Sequence, residues 1–147
     1  MIIDIITIVL SVAAIVFSII TFSYTKKTEK TKQTIEAYKD LQCFLYCLYE
    51  YKKNEIEDFV TDTTTDEYKM LSNCIAHLEI FATGINQGIY DFEIVYSMAH
   101  GYIDKALKGK IEYLLDMKSR RNEDSYYNNT KWLLAEMEQR ENRERIR

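Results

Sequence analysis

The sequence predicts an all-α protein: an N-terminal transmembrane helix continuing into a small cytoplasmic helical bundle. Three observations predict it. Ile5 to Tyr24 runs without a charge. The rest of the chain carries apolar residues at three- and four-residue spacing, with no convincing strand. The chain also has no Pro and only four Gly, so nothing in it is built to break a helix sharply.

As a helix, the uncharged stretch is about 30 Å long, the hydrocarbon thickness of a bilayer. A cleaved signal peptide would want a basic start, a shorter apolar core and a small-residue cleavage site. Here the start carries Asp4, and Lys26, Lys27, Lys30 and Lys32 follow the span. The expectation is a retained transmembrane helix over residues 1–25, a Lys-rich stem over 26–34 and a cytoplasmic bundle over 35–147. Lysine on the C-terminal flank places that flank in the cytoplasm and the N-terminus outside. The cysteines at 43, 47 and 74 are odd in number and form no C-x-x-C, which fits a reducing compartment with unpaired thiols.

The net charge of −4 excludes a bulk nucleic-acid coater. It is unevenly spread: residues 26–32 carry +3, residues 33–117 carry −8 and residues 118–147 carry +2. Two basic ends are therefore places to meet anions. The twelve Tyr should sit half-buried, ring inward and hydroxyl outward.

Within the span, alternating steps of three and four pick out Asp4, Thr7, Ser11, Ala14, Ser18, Thr21 and Thr25. Each is small or polar, and a seven-residue repeat of this kind faces a partner helix or a bundle axis. Most other positions are Ile, Val, Leu or Phe, which suit lipid. In one reading the seam is helix–helix glue, with hydroxyls bonding across the contact or back to their own i−4 carbonyls. In the other, several copies present stacked rings of hydroxyls, with Asp4, Thr7, Ser11, Ala14, Ser18 and Thr21 lining a pore and the Asp4 ring favouring cations. Both readings require a homo-oligomer.

In the soluble part, Thr28 to Val60 reads as helix, with a stripe of Ile35, Tyr38, Leu41, Leu45, Leu48, Ile56 and Phe59. No Gly or Pro separates it from the span, so one long helix is expected. Thr64 and Glu67 fit a capping box for a helix from about Thr65 to Ala82, which Gly84 is placed to stop. Gly84 to Glu93 reads as a loop ending in an Asp91 N-cap. The next helix carries Val95, Ala99, Ile103 and Leu107, and Gly101 and Gly109 mark where it bends or splits near Lys108–Lys110. Asn122 to Asn129 is a polar loop or helix start. The last helix begins near Ser125, holds Trp132, Leu133 and Met137, and ends in a solvated, frayed tail.

Enzyme chemistry finds no support. His77 and His100 stand apart, with no H-E-x-x-H and no Cys/His cluster at zinc spacing, so no metal and no cofactor is expected. Cys74 and His77 share a helix face, where a buried thiol beside an ordinary His is the simpler reading. Asp91 and Glu93 read as helix-start charges rather than a catalytic pair. One constellation remains: Lys118, Arg120 and Arg121 followed by Tyr126 and Tyr127. Arginines fork onto phosphates and tyrosines stack on bases, so the group suits a nucleotide or short oligonucleotide. The competing reading is a solvated helix end with Tyr packed into the bundle. Arg140, Arg143, Arg145 and Arg147 alternate with Glu and read as surface ion pairs.

The span, the stem and the Tyr-rich helical part with "FATGINQGIYDFEIV" resemble a family of uncharacterised bacterial single-span helical membrane proteins. The layout also resembles the membrane channel effectors of Hailong-type phage-defence systems. That resemblance implies a channel-forming oligomer in the bacterial inner membrane, controlled by a nucleotide product of a partner nucleotidyltransferase. It carries over no individual residues. Two other functions fit the same features: a non-conducting, membrane-anchored binding or scaffold module, and a phage-encoded lysis or exclusion protein.

Overall fold

The computed structural model describes residues 2–121 and 124–146, with side chains over 10–121 and 126–146. The elements are α1 (Ile2–Glu50), α2 (Lys53–Phe59), α3 (Asp66–Asn86), α4 (Phe92–His100), a π-helical segment (Gly101–Leu107), α5 (Lys108–Arg120), a 3-10 turn (Asp124–Tyr127) and α6 (Asn128–Arg145). No strand occurs among the described residues. A long apolar N-terminal helix is thus followed by a helical bundle, as the sequence predicts.

At 1.5 Å per residue, α1 is a rod of about 73 Å. Among its described side chains, the buried ones all lie in the C-terminal part. There Tyr38, Leu41, Leu45 and Leu48 fall on one stripe and are buried. They meet α3, the central helix, which lies against both α1 and α6. Leu71, Cys74, Ile75, Leu78 and Phe81 form the inward face of α3, as their spacing predicts. Leu133 and Met137 of α6 complete the core.

The α4–α5 stretch solves a spacing problem. Its buried residues Val95, Ala99, Ile103, Leu107 and Ile111 recur every fourth position. On a 3.6-residue helix that spacing drifts by about 40° per step and would carry the stripe away from the core. The wider π segment over Gly101–Leu107 takes up the extra residues and keeps Ile103 and Leu107 inward. The interruption lies at Gly101, where a bend is expected; Gly109 sits inside α5.

Helix ends depart from the sequence reading wherever a distant side chain sets them. The continuous helix expected from Thr28 to Val60 breaks after Glu50. Lys110 Nζ, on α5, donates to the Leu48 and Tyr49 carbonyls at 3.0 and 2.9 Å. These are last-turn acceptors that α1 itself leaves unpaired. Glu55 then accepts from the Lys52 amide at 2.6 Å and starts α2.

The α3 cap is Thr65, whose hydroxyl accepts from the Tyr68 amide at 3.2 Å. The expected Thr64 cap is displaced because Asp62 already holds Thr64 in the turn by two hydrogen bonds. Nor does Gly84 stop the helix. It is buried within α3, and a Cβ there would overlap the Tyr90 ring. Glycine lets the Tyr90 ring close on the helix, and the turn comes later, at Gly88 with φ +73.

Asp91 caps α4 as expected, accepting from the Glu93 and Ile94 amides. The start of α6 shifts from Ser125 to Asn128. There the Glu79 carboxylate on α3 accepts from the Asn129 and Thr130 amides at 3.1 and 2.7 Å. An acid at a helix N-terminus satisfies its orphan donors and complements its dipole. The C-terminal stretch expected to fray is helical to Arg145. Arg140 reaches Glu93 on α4 at 2.9 Å, and Lys105 reaches Glu141 at 3.3 Å. The expected loop at Asn122 and Glu123, and Arg147, lie outside the described residues.

Candidate functional site

From Leu10 to Glu29 every side chain of α1 is exposed. Phe17 and Phe22 are 71% and 69% exposed, alongside Ile15, Ile19 and Ile20. A soluble surface does not carry an apolar patch of that extent, so this face calls for lipid or a partner. By length and composition α1 is a candidate membrane span.

Four small or hydroxyl residues of this stretch share one face, while Ala13 and Ser23 fall on the other side. Going round a 3.6-residue helix, Ser11, Ala14, Ser18 and Thr21 fall about 180° from the packed stripe of Thr34, Tyr38, Leu41, Leu45 and Leu48. The bundle and the seam thus occupy opposite sides of the same rod. Ser18 Oγ donates to the Ala14 carbonyl at 2.8 Å. Thr28 and Thr31 bond back to Tyr24 and Lys27 in the same way, each at 3.0 Å. A hydroxyl used like this has its proton satisfied inside its own helix. Its oxygen lone pairs stay available to a water, a cation or a neighbouring helix. Asp4 and Thr7 are on α1, but their side chains lie outside the described residues.

The basic and aromatic cluster divides in two. Lys118 is buried, its Nζ donating to Ser72 Oγ at 2.8 Å and standing 5.2 Å from the Tyr68 ring centroid and 5.9 Å from that of Tyr127. Arg121 also lies over Tyr68, at 5.1 Å from its ring centroid, and donates to the Val60 carbonyl at 2.6 Å. Around them the free volume is about 10 Å³, space for one water. Lys118, Arg121 and Tyr127 are therefore brought together as a closed cluster joining α2, α3 and α5. Arg120 and Tyr126 are not part of it: Arg120 pairs with Asp116 at 2.8 Å, and Tyr126 is exposed.

Sequence reasoning missed a shallow groove between α1 and α3. It is lined by Ala37, Asp40, Phe44, His77, Ile80 and Tyr90. Phe44 and His77 stack with centroids 3.6 Å apart, and Ile80 is 69% exposed. An exposed Ile beside the inward stripe of α3 was the available signal, since it widens that helix's apolar face.

Cys74 lies beneath, donating to the Phe44 carbonyl at 3.0 Å. Burial, followed by the influence of Cys47, pushes its thiol up to about 11. It is buried, as the simpler reading of Cys74 expects. Asp104, in the π segment, is a buried carboxylate facing Lys108 Nζ at 3.5 Å. No group of metal-ligating side chains occurs among the described residues.

No curated protein and no solved structure matches the chain. One family does, over residues 6–137, which takes in both the exposed half of α1 and the bundle. The chain belongs to that family, the domain of unknown function DUF4760.

Proposed function

We propose that the protein is an oligomeric, single-span membrane effector whose first helices gather about a common axis and pass ions when a cytoplasmic signal reaches the bundle. The observation that carries this reading is the opposition of the two faces of α1. With the bundle on one side, the seam of Ser11, Ala14, Ser18 and Thr21 is left clear for other copies of the chain. Small and hydroxyl residues along one face of a span let a second helix approach closely, which favours self-association. Rings of hydroxyls replace part of an ion's water shell, and an Asp4 ring at the outer mouth would favour cations. The lysines after the span favour a cytoplasmic bundle and an outer N-terminus in the bacterial inner membrane.

The signal we assign is a nucleotide-like product of a partner nucleotidyltransferase, acting in phage defence. Its support is the resemblance in layout and the basic, aromatic chemistry around Lys118 and Arg121. Such a ligand would have to part these two side chains from Tyr68, which joins ligand entry to movement of α5 against α3.

The test is conductance in planar bilayers. Ser11→Leu with Ser18→Leu should abolish ion flux while the protein stays inserted. Unchanged flux in that double variant would sink the pore. A second reading, a non-conducting anchor that holds a protein partner, is favoured by the groove at Phe44, His77 and Ile80. It requires function to survive replacement of residues 5–24 by an unrelated span.

A further inference from the structure

The turn after α3 leaves one apolar side chain half exposed. Gly88, at φ +73, lets the chain reverse, and the Ile89 and Tyr90 amides both donate to the Gly84 carbonyl, at 2.9 and 3.1 Å. Ile85, before the turn, is buried, and Tyr90, after it, lies on Gly84 and stacks with Phe81. Ile89 between them is 52% exposed. The turn is also pinned to α1: the Asp91 amide donates to Thr34 Oγ1 at 2.9 Å, and Thr34 donates to the Lys30 carbonyl at 2.8 Å. An apolar side chain is thus held outward on a fixed turn, which is a cost in water.

Its surroundings explain it. Gly88 and Ile89 line one side of a cleft whose other side is Lys26, Glu29, Lys30 and Gln33 of α1. With Tyr24 at the edge of the hydrocarbon, Lys26 lies about 3 Å below that edge and Lys30 about 9 Å below it. The headgroup layer on each side of a bilayer is about 5–8 Å deep. The upper part of the cleft therefore falls among lipid headgroups. Over residues 26–32 four Lys face a single acid, Glu29. Cations beside an apolar tip are the pairing that binds an anionic lipid surface.

We propose that the Gly88–Ile89 turn and the Lys26/Lys30 side of α1 form a second membrane contact, in which Ile89 enters the boundary of the cytoplasmic leaflet and the lysines hold anionic phospholipid headgroups. The contact fixes the tilt of the bundle against the bilayer, which a single spanning helix leaves undetermined. It rests on α1 spanning the membrane, but not on that span conducting ions.

The experiment places an indole at the tip: Ile89→Trp in a Trp132→Phe background, which removes the single native Trp. The full chain is reconstituted in phosphatidylcholine bilayers with and without phosphatidylglycerol, with a quencher on the upper acyl chain. Emission should be roughly halved in anionic bilayers. Much of it should return in neutral ones and in the Lys26→Gln, Lys30→Gln variant. Unquenched emission from protein that resists carbonate extraction overturns the contact and leaves the span standing. Equal quenching in both bilayers overturns the assignment to anionic headgroups. Extraction of the protein by carbonate removes the span, and this contact with it.

Discussion

From Leu10 to Glu29 the first helix presents every side chain to its surroundings, whereas from Thr34 to Leu48 it buries five of them in the bundle. Both stretches belong to one helix without a break. The difference lies in how apolar residues are arranged round it. Up to Phe22 the first is apolar on nearly all sides, apart from one small and polar line. The second is apolar on one stripe, with Glu and Lys elsewhere. Helix formation is common to both; what they fold against is set by the width of the apolar face.

The sharpest way to break this comparison is to remove the same kind of bulk from each half. Leu45 is wholly buried, and Leu45→Ala should cost the bundle about 3 kcal/mol through lost burial and the cavity left behind. Ile20 is exposed, and Ile20→Ala should leave the bundle's melting unchanged in detergent. Equal destabilisation by the two would mean that the outer half packs on the bundle after all.

A smaller effect should separate two threonines that make the same i−4 bond. Thr34 also accepts from the Asp91 amide, so Thr34→Val strands a backbone donor and should cost about 1 kcal/mol in denaturant titrations. Thr28 bonds to Tyr24 and, among the described residues, holds no backbone amide from another element, so Thr28→Val should be close to neutral.

The smallest effect concerns thiols on either side of the packed half. Cys43 is exposed and Cys74 buried, so a maleimide at pH 8 should modify Cys43 first and Cys74 last, read by mass spectrometry. The Cys74 pKa is raised, from an ordinary 9.0 to about 11. Its contribution to stability is therefore complete below pH 9 and lost as pH rises through 11. Melts of the wild type and Cys74→Ala should converge over that interval. A gap between them that stays constant with pH would count against burial as the cause.

What the sequence made legible was whatever repeats locally. Twenty uncharged residues and the three–four spacing of Leu41, Leu45 and Leu48 are read without knowing the fold. The Asp91 cap was equally plain, since its partners are the next two or three amides. The break after Glu50 was not, because Lys110 stands sixty residues along the chain. Gly84 read as a terminator because its real reason, the Tyr90 ring, is a tertiary contact. The Arg and Tyr group showed the same limit. Lys118, Arg120 and Arg121 are neighbours in sequence, yet one helical turn sends Lys118 and Arg121 inward to Tyr68 and leaves Arg120 outside.

Between residues 2 and 50 the first helix contains neither Gly nor Pro. It has no swivel, so it behaves as a drive shaft. Torsion applied where Thr34 and Leu45 are gripped has an unbroken helix through which to reach Ser11. A turn of about 20° displaces side-chain atoms lying about 5 Å from the axis by about 2 Å. That is enough to exchange a hydroxyl for a neighbouring methyl on any surface the far end presents, and it requires no bending of the rod.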